Sequence, residues 1–414
     1  MASIPDHTKA ELDKILRDVT SSEKNRIPGV VFAAVGRDGK PLYVGAEGVR
    51  AIGQEAKMTP DTVLWMASLT KAVTGIAALQ LIEEGKLFLD DAAQIARLLP
   101  ELSHVKVVSG SKANGFTYTP VQGGTTLRNL LTHTSGHSYT FFDKKLRDVV
   151  GTGQYQDEFS GRPGAFNQPL VHQPNSTFSY GIGIDWVGIL IERVTGKKLG
   201  TYFDDHILGP LGLQDTAFEV KPHMLPRLSG MHARLSEDTI IEQQHAPIAF
   251  AQTNEFHSGG GGLFSTIHDY LMILTIFMNE GKGWNGAQIL KPQTVSLATR
   301  DNIPSSLAPA LDAPVYACRE AFSNDIPNIF PGAIKGWGLT FMISKNELPT
   351  GRSPGSINWS ALCNMFWWVD LKKGVAGMIA TQILPFLDAP VLGTLFNAEA
   401  TLYRGLAESP QFKL

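Results

Sequence analysis

The chain reads as an α+β protein in which one antiparallel sheet, flanked by helices, is assembled from both ends of the sequence, with a helical region inserted between them. Three observations lead there. Near the N-terminus a β-rich run, Val30–Val35, is followed by Asp38-Gly39 and then Leu42-Tyr43-Val44, the pattern of a hairpin. Near the C-terminus, Met365–Val369 and Val375–Thr381 are two further β-rich runs joined by Asp370-Leu-Lys-Lys-Gly374. Between the two pairs the apolar spacing is mostly helical. An isolated two-stranded hairpin is marginal in water, so both pairs are expected to share one sheet rather than to stand in two domains in series. The 414 residues exceed what one core usually holds. Residues 1–95 and 205–414 are therefore expected to carry the sheet, and residues 96–204 to form the helical region.

Taken in order, residues 8–20 have apolar positions at helical spacing and predict an amphipathic helix. Ser68 opens a second helix whose apolar positions Leu69, Ala72, Val73, Ile76 and Leu79 lead towards Gly85. Thr125-Thr126-Leu127 starts a short helix running to Thr132. Asp185–Val194 is another, stopped by Thr195-Gly196, and Asp269–Met278 ends before Gly281. A helix over 390–406 closes the chain. Residues 109–124 and 152–176 read as long polar connections, and loops of that length tend to form binding walls or lids.

Apolar residues make up 43% of the chain, charged residues 18%, and the formal net charge is −3, which points away from nucleic acid and anionic membranes as partners. No run of 18 apolar residues is present, so no transmembrane helix is expected. The first residues lack a basic segment followed by an apolar one, and the two cysteines, Cys318 and Cys363, are expected to be free thiols in a cytoplasmic protein. No metal-ligand spacing and no nucleotide-binding glycine motif occurs, so no metal and no cofactor is expected.

Ser-x-x-Lys occurs three times, at Ser21/Lys24, Ser68/Lys71 and Ser109/Lys112. Ser21 and Ser109 sit in polar, turn-like sequence. Ser68 follows the apolar run Val63-Leu64-Trp65-Met66-Ala67 and starts a helix, which places Lys71 one turn away on the same face. A buried amine there can take the serine proton, and the helix N-terminus offers backbone amides to a reacting carbonyl. A serine capping the helix beside a surface lysine would show the same pattern. Tyr180 stands in a Gly-rich turn, Phe178-Ser-Tyr-Gly-Ile-Gly183, just before a helix. A phenol beside a cation has its pKa lowered and can act as a general base.

The ordered set Ser68-Leu-Thr-Lys71, Leu130-Leu-Thr-His-Thr-Ser-Gly136, Tyr180-Gly-Ile-Gly-Ile-Asp-Trp186 and Gly259-Gly-Gly-Gly-Leu-Phe-Ser-Thr266 resembles the serine β-lactamase superfamily. Leu98-Leu-Pro-Glu101, Ile207-Leu-Gly-Pro-Leu-Gly-Leu213 and Gly355–Leu362 extend the likeness to residues 28–385. Within that superfamily it is similar to β-lactamase-like carboxylesterases and to fungal acyltransferases and hydrolases of statin side chains. The resemblance implies a β-lactamase-like fold, Ser68 as nucleophile, Lys71 as its proton partner and Tyr180 as general base. It also implies an oxyanion hole made by the backbone amides of Ser68 and Leu362.

The departures are informative. Where penicillin-binding relatives have Lys-Thr/Ser-Gly on the strand beside the site, this chain aligns Trp359-Ser360-Ala361. An indole cannot hold a carboxylate, and it offers a wall to apolar groups instead. The asparagine often found two residues after the tyrosine is Ile182. Tyr139, Trp359, Ser360 and Ala361 are taken as substrate-binding residues, and His133 as structural. Gly351-Arg-Ser353-Pro-Gly355 matches the lipase pattern but lacks its strand and helix context. The expected function is hydrolysis of a short branched ester side chain on a bulky statin-like polyketide, a small-molecule substrate. Three alternatives are transfer of such a group to an alcohol, β-lactam or peptide hydrolysis, and a non-catalytic binding module.

Overall fold

The computed structural model describes residues 3–243, 257–328, 332–409 and 412. Helix α1 (Asp6–Ser21) precedes strands β1 (Gly29–Gly36) and β2 (Pro41–Gly48). Three helices follow that matter for the site: α2 (Thr70–Glu83), α3 (Gly183–Thr195) and α4 (Ile267–Met278). Strands β3 (Lys335–Trp337), β4 (Met342–Ser344), β5 (Ser356–Ala361), β6 (Met365–Asp370) and β7 (Val375–Ala380) come next, and α5 (Ala389–Glu408) closes the chain.

The seven strands form one antiparallel sheet in the order β2-β1-β7-β6-β5-β4-β3. The two ends of the chain meet at its centre, with Val31 opposite Ala380 and Gly36 opposite Val375. Every residue of β1, β6 and β7 is buried because helices cover both faces, which is why these runs are continuously apolar rather than alternating. On one face α1 and α5 pack together. There Trp368 donates to the Tyr403 hydroxyl at 3.2 Å, and the Tyr403 hydroxyl donates to Asp370. On the other face α4 packs on β1, β6 and β7, with Tyr270 against Trp367.

The expected hairpins and helices are present, with three differences. Helix α2 is buried on nearly all sides, not on one stripe, because it runs through the centre of the molecule beside α3. Residues 109–124 are not a loop lining the site. They belong to a separate two-stranded hairpin, Lys106–Ser111 with Gly115–Pro120, and Asn114-Gly115 is its turn signal. Ser109 thus lies on a strand, and Ser21 ends α1 with its hydroxyl donating to the Arg17 carbonyl.

One ion pair ties the sheet to α5. Arg352 and Glu399 are 2% and 0% exposed, and the guanidinium donates twice to the carboxylate at 2.5 Å. Thr350 also donates to Glu399. Removing one partner strands a buried charge, so Glu399→Ala is expected to destabilise the protein by about 3–5 kcal/mol in urea unfolding. Arg352→Met combined with Glu399→Leu should recover most of that loss. A Glu399→Ala protein as stable as the parent would contradict this account.

Candidate active site

Ser68 is delivered by a short strand and a strained turn. Leu64–Trp65 pairs antiparallel with Phe264–Ser265, and the Met66 amide donates to the Leu263 carbonyl at 2.8 Å. Ala67 then turns at φ 43°, a left-handed value that a non-glycine residue keeps only where its surroundings enforce it. A single 3-10 turn, Ala67–Leu69, leads into α2. No side chain caps either helical start, so Ser68 is not an N-cap serine. Its amide lies in the first turn, where no preceding helical carbonyl is available to it. The half-buried hydroxyl faces a cavity of about 750 Å³.

Lys71 lies beneath that cavity with 0% exposure. Its Nζ donates to Ser68 Oγ at 3.1 Å, to the Tyr139 hydroxyl at 2.9 Å and to the Gly260 carbonyl at 2.7 Å. Gly260 is itself held by Asp185, in the first turn of α3. The Gly260 amide donates to Asp185 Oδ1 at 2.9 Å, and so does Ser258 Oγ at 2.5 Å. A Cβ at position 260 would sit 2.3 Å from Asp185 Oδ2, so only glycine allows this approach. Burial raises the Asp185 pKa, and the neighbouring Lys71 partly opposes that. Asp185 was not singled out from sequence, although an acid inside the apolar run Ile182-Gly-Ile-Asp-Trp186 was the available signal.

Tyr180 sits just before α3, where a Cβ at Gly181 would meet the Ser138 Cα at 2.4 Å; glycine lets this turn close on the 137–139 segment. The Ser179 amide donates to the His133 carbonyl at 2.8 Å, and the His133 and Tyr180 rings are 4.5 Å apart. His133 is therefore a packing residue, as expected, and burial followed by the nearby Lys71 holds its pKa well below the ordinary histidine value. The relation of Tyr180 to Lys71 differs from the expectation of a hydroxyl beside an amine. Lys71 Nζ lies 4.8 Å from the Tyr180 ring centroid, and the phenol oxygen bonded to it belongs to Tyr139. Burial first, then electrostatic coupling to Asp185, Tyr180 and Glu158, pushes the Tyr139 pKa well above the usual phenol value. The Tyr180 hydroxyl instead accepts from Trp359 Nε1 at 3.0 Å. The indole thus orients the phenol at a site where Ile182, fully buried in the core, cannot.

Ser68, Tyr139, Tyr180, Trp359, Ser360, Ala361 and Leu362 all line the cavity. Leu362 begins the turn after β5, closed by the Asn364 amide donating to the Ala361 carbonyl. Another part of the lining is a row of stacked rings, Tyr139, Phe141 and Phe159, with Phe322 stacked on Phe159 outside the lining. Phe159 comes from the 152–176 segment, which does form a wall. Phe322 comes from a strap over residues 311–328 that the sequence reading passed over. Lys335 pins both legs of the strap, bonding to Asp312 and Asn328 and to the Leu311 carbonyl. Arg319 ties its middle to Asp157 at 2.5 Å and Thr140 at 3.1 Å. A 35-residue stretch before β3 without periodicity but with spaced prolines was the missed sign. Lys335 lines the cavity, yet these three partners occupy it, and Arg352 is paired with Glu399, so neither offers a ready carboxylate anchor. Ser353 is 4% exposed in a buried loop, not the polar one expected, and does not line the cavity.

Residues 12–401 match the beta-lactamase family model, and the chain belongs to that family. It is 30% identical to monacolin J acid methylbutanoyltransferase of Aspergillus terreus over 94% of this chain and 95% of the other. It is 29% identical to lovastatin esterase of Penicillium rubens, over 90% and 93% of the two chains. The unliganded structure of simvastatin synthase from Aspergillus terreus superposes with a TM-score of 0.82 at 28% identity, covering 98% of this chain and 100% of that one. The α+β, β-lactamase-like fold and the resemblance read from the motifs are thereby borne out. Among the described residues no helix is long and apolar enough to cross a membrane.

His137 lies in the turn beneath Tyr180, 2% exposed, with Nδ1 3.0 Å from Ser135 Oγ. Burial pushes its pKa down to about 3. Below about pH 6.5 the unfolded chain binds a proton that the folded one refuses. Its contribution to stability is therefore complete above that pH and is lost as pH falls towards 3. Between pH 7 and pH 5, His137→Gln is expected to lose less stability than the parent, measured as the shift in urea midpoint. An unchanged slope would remove His137 from this role.

Proposed function

We propose that the chain is an acyltransferase working through an acyl-enzyme on Ser68, with ester hydrolysis as the outcome when water replaces the acceptor. The observation that carries this is Ser68 Oγ on the wall of a cavity rich in aromatic side chains, 3.1 Å from the fully buried Lys71 Nζ. Ser68 Oγ attacks the donor carbonyl while its proton passes to the Tyr180–Lys71 pair, Tyr180 acting as general base. The oxyanion rests on the amides of Ser68 and Leu362. The leaving group departs with that proton. An acceptor hydroxyl then gives its proton to the same pair and attacks the acyl carbonyl; the bond to Ser68 Oγ breaks as the pair returns that proton to the serine. Tyr139, Trp359, Ser360 and Ala361 bound the substrate.

Motifs alone put hydrolysis first. The relatives favour transfer, since the relative matched over 94% of this chain is named a methylbutanoyltransferase, while the esterase relative keeps hydrolysis as the second reading. Their names support a short branched acyl group and a statin-type polyketide alcohol as substrates. We place the enzyme in the cytoplasm, acting on small molecules; its unpaired Cys318 and Cys363 suit a reducing compartment.

Ser68→Ala is expected to abolish turnover, and Ser353→Ala to leave it within about two-fold. Tyr180→Phe should lower kcat by roughly 10²-fold, as for a lost general base. Trp359→Phe, which keeps an aromatic wall but loses the N–H to Tyr180, should lower kcat for p-nitrophenyl acetate as well as for a bulky ester. A folded but dead Ser353→Ala enzyme, or a Trp359→Phe enzyme impaired only on the bulky ester, would contradict these roles.

Partition of the acyl group separates transfer from hydrolysis. With a methylbutanoyl thioester as donor, adding a bulky polyketide alcohol should raise total turnover and yield more ester than free acid, with little or no hydrolysis of benzylpenicillin. Free acid as the main product at saturating alcohol would make the protein a hydrolase, and efficient penicillin turnover would redraw the cavity.

A further inference from the structure

The amides of Ser68 and Leu362 come from distant parts of the chain, and one buried side chain connects the segments that carry them. Gln382, 1% exposed, follows β7. Its Oε1 accepts from the Trp65 amide at 3.2 Å. Its Nε2 lies 3.1 Å from the Trp65 carbonyl, 3.3 Å from Cys363 Sγ and 3.0 Å from the Thr381 carbonyl, and donates towards all three. Trp65 is three residues before Ser68, and Cys363 is the residue after Leu362.

A carboxamide carries the same donor–acceptor pair as a peptide group. Trp65 pairs with Phe264 along one edge, and on the other edge the Gln382 amide takes up both the N–H and the C=O of Trp65, as a neighbouring strand would. The same amide reaches Cys363, whose Sγ also points at the Trp65 carbonyl at 3.4 Å. Thr381, one residue earlier, donates to the carbonyls of Cys363 and Asn364 and closes the turn holding Leu362. Ala67, between Trp65 and Ser68, has the left-handed φ of 43°, so this strand end must be held from outside.

We propose that Gln382 is a positioning residue for the oxyanion site, setting the distance between the Ser68 and Leu362 amides. The proposal rests on the reading of those two amides as the oxyanion donors. Such donors act only if both reach the oxygen as it becomes tetrahedral, so a lost spacer lowers kcat and leaves KM nearly unchanged.

The test compares p-nitrophenyl butyrate with its thionoester, in which a large, weakly accepting sulfur replaces the carbonyl oxygen. A site built for oxygen favours the ester, and the ratio of the two kcat values reads the alignment of the donors. Gln382→Met is expected to lower kcat for the oxygen ester about ten-fold or more, keep KM within about three-fold and compress the ratio. Gln382→Asn, too short to reach both segments, should do the same, and it carries the test if Gln382→Met does not fold. Gln382→Glu, whose protonated carboxyl keeps one acceptor and one donor towards Trp65, should retain most of the ratio. Titration with a fluorophosphonate counts competent sites and removes any loss through unfolding. A folded Gln382→Met or Gln382→Asn enzyme with the parental ratio overturns the proposal. A parent enzyme that shows no preference for the oxygen ester, or a Ser68→Ala enzyme that still turns over, overturns instead the underlying reading of the site.

Discussion

A lysine nitrogen sealed from water must have its hydrogens accepted by protein, and around Lys71 this requirement organises much of the site. Gly260 supplies a carbonyl, which fixes where the glycine-rich segment runs. Asp185 grips that segment from the other side, which fixes the first turn of α3 and with it the approach of Tyr180. Tyr139 supplies a hydroxyl from the Thr-Ser-Gly turn. The remaining acceptor is Ser68 Oγ, which like Tyr139 and Gly260 lines the cavity. Satisfying one buried amine therefore gathers four separate segments onto one serine.

Much of this was legible because the signals were local or ordered along the chain. Hairpins declare themselves through turn residues and β-rich flanks, and Ser68/Lys71 through helical spacing. The Ser68, Lys71 and Tyr180 positions do converge on one cavity. What stayed hidden depends on long-range packing. Nothing near Trp359 in sequence shows that its indole N–H meets Tyr180, because that bond joins a strand of the sheet to a turn before α3. Tyr139 looked like a wall residue, since its bond to Lys71 depends on how the loop after Gly136 packs against α2. The Lys106–Pro120 hairpin is hard to read because its polar and glycine content masks the alternation around Asn114-Gly115.

The cavity is shaped by elements with different duties. Strand β5 lies inside the sheet between β6 and β4, and the helical turn at Ser68 leads into the buried α2, with Trp359, Ser360 and Ser68 partly buried where they meet the cavity. The strap and the 152–176 segment are attached to that frame by a few charged side chains, Lys335 and Arg319, and by stacked rings. Chemistry is thus set on the densely packed part, and the fit to a bulky partner on the part with fewer constraints. That division suits a chain whose relatives bear names describing both acyl transfer and ester hydrolysis.

The pairing of β1 with β7 has a consequence for the birth of the molecule. As the chain leaves the ribosome, the wholly apolar Gly29–Gly36 strand appears long before Val375–Ala380, the strand that will pair with it. Until then the N-terminal hairpin presents a sticky, unpaired margin, the kind of surface that seeds aggregation and draws chaperones. Closure of the sheet around β1 must await β7, which pairs with both β1 and β6. A chain stopped before β7 therefore leaves β1 without the partner that covers its inner edge.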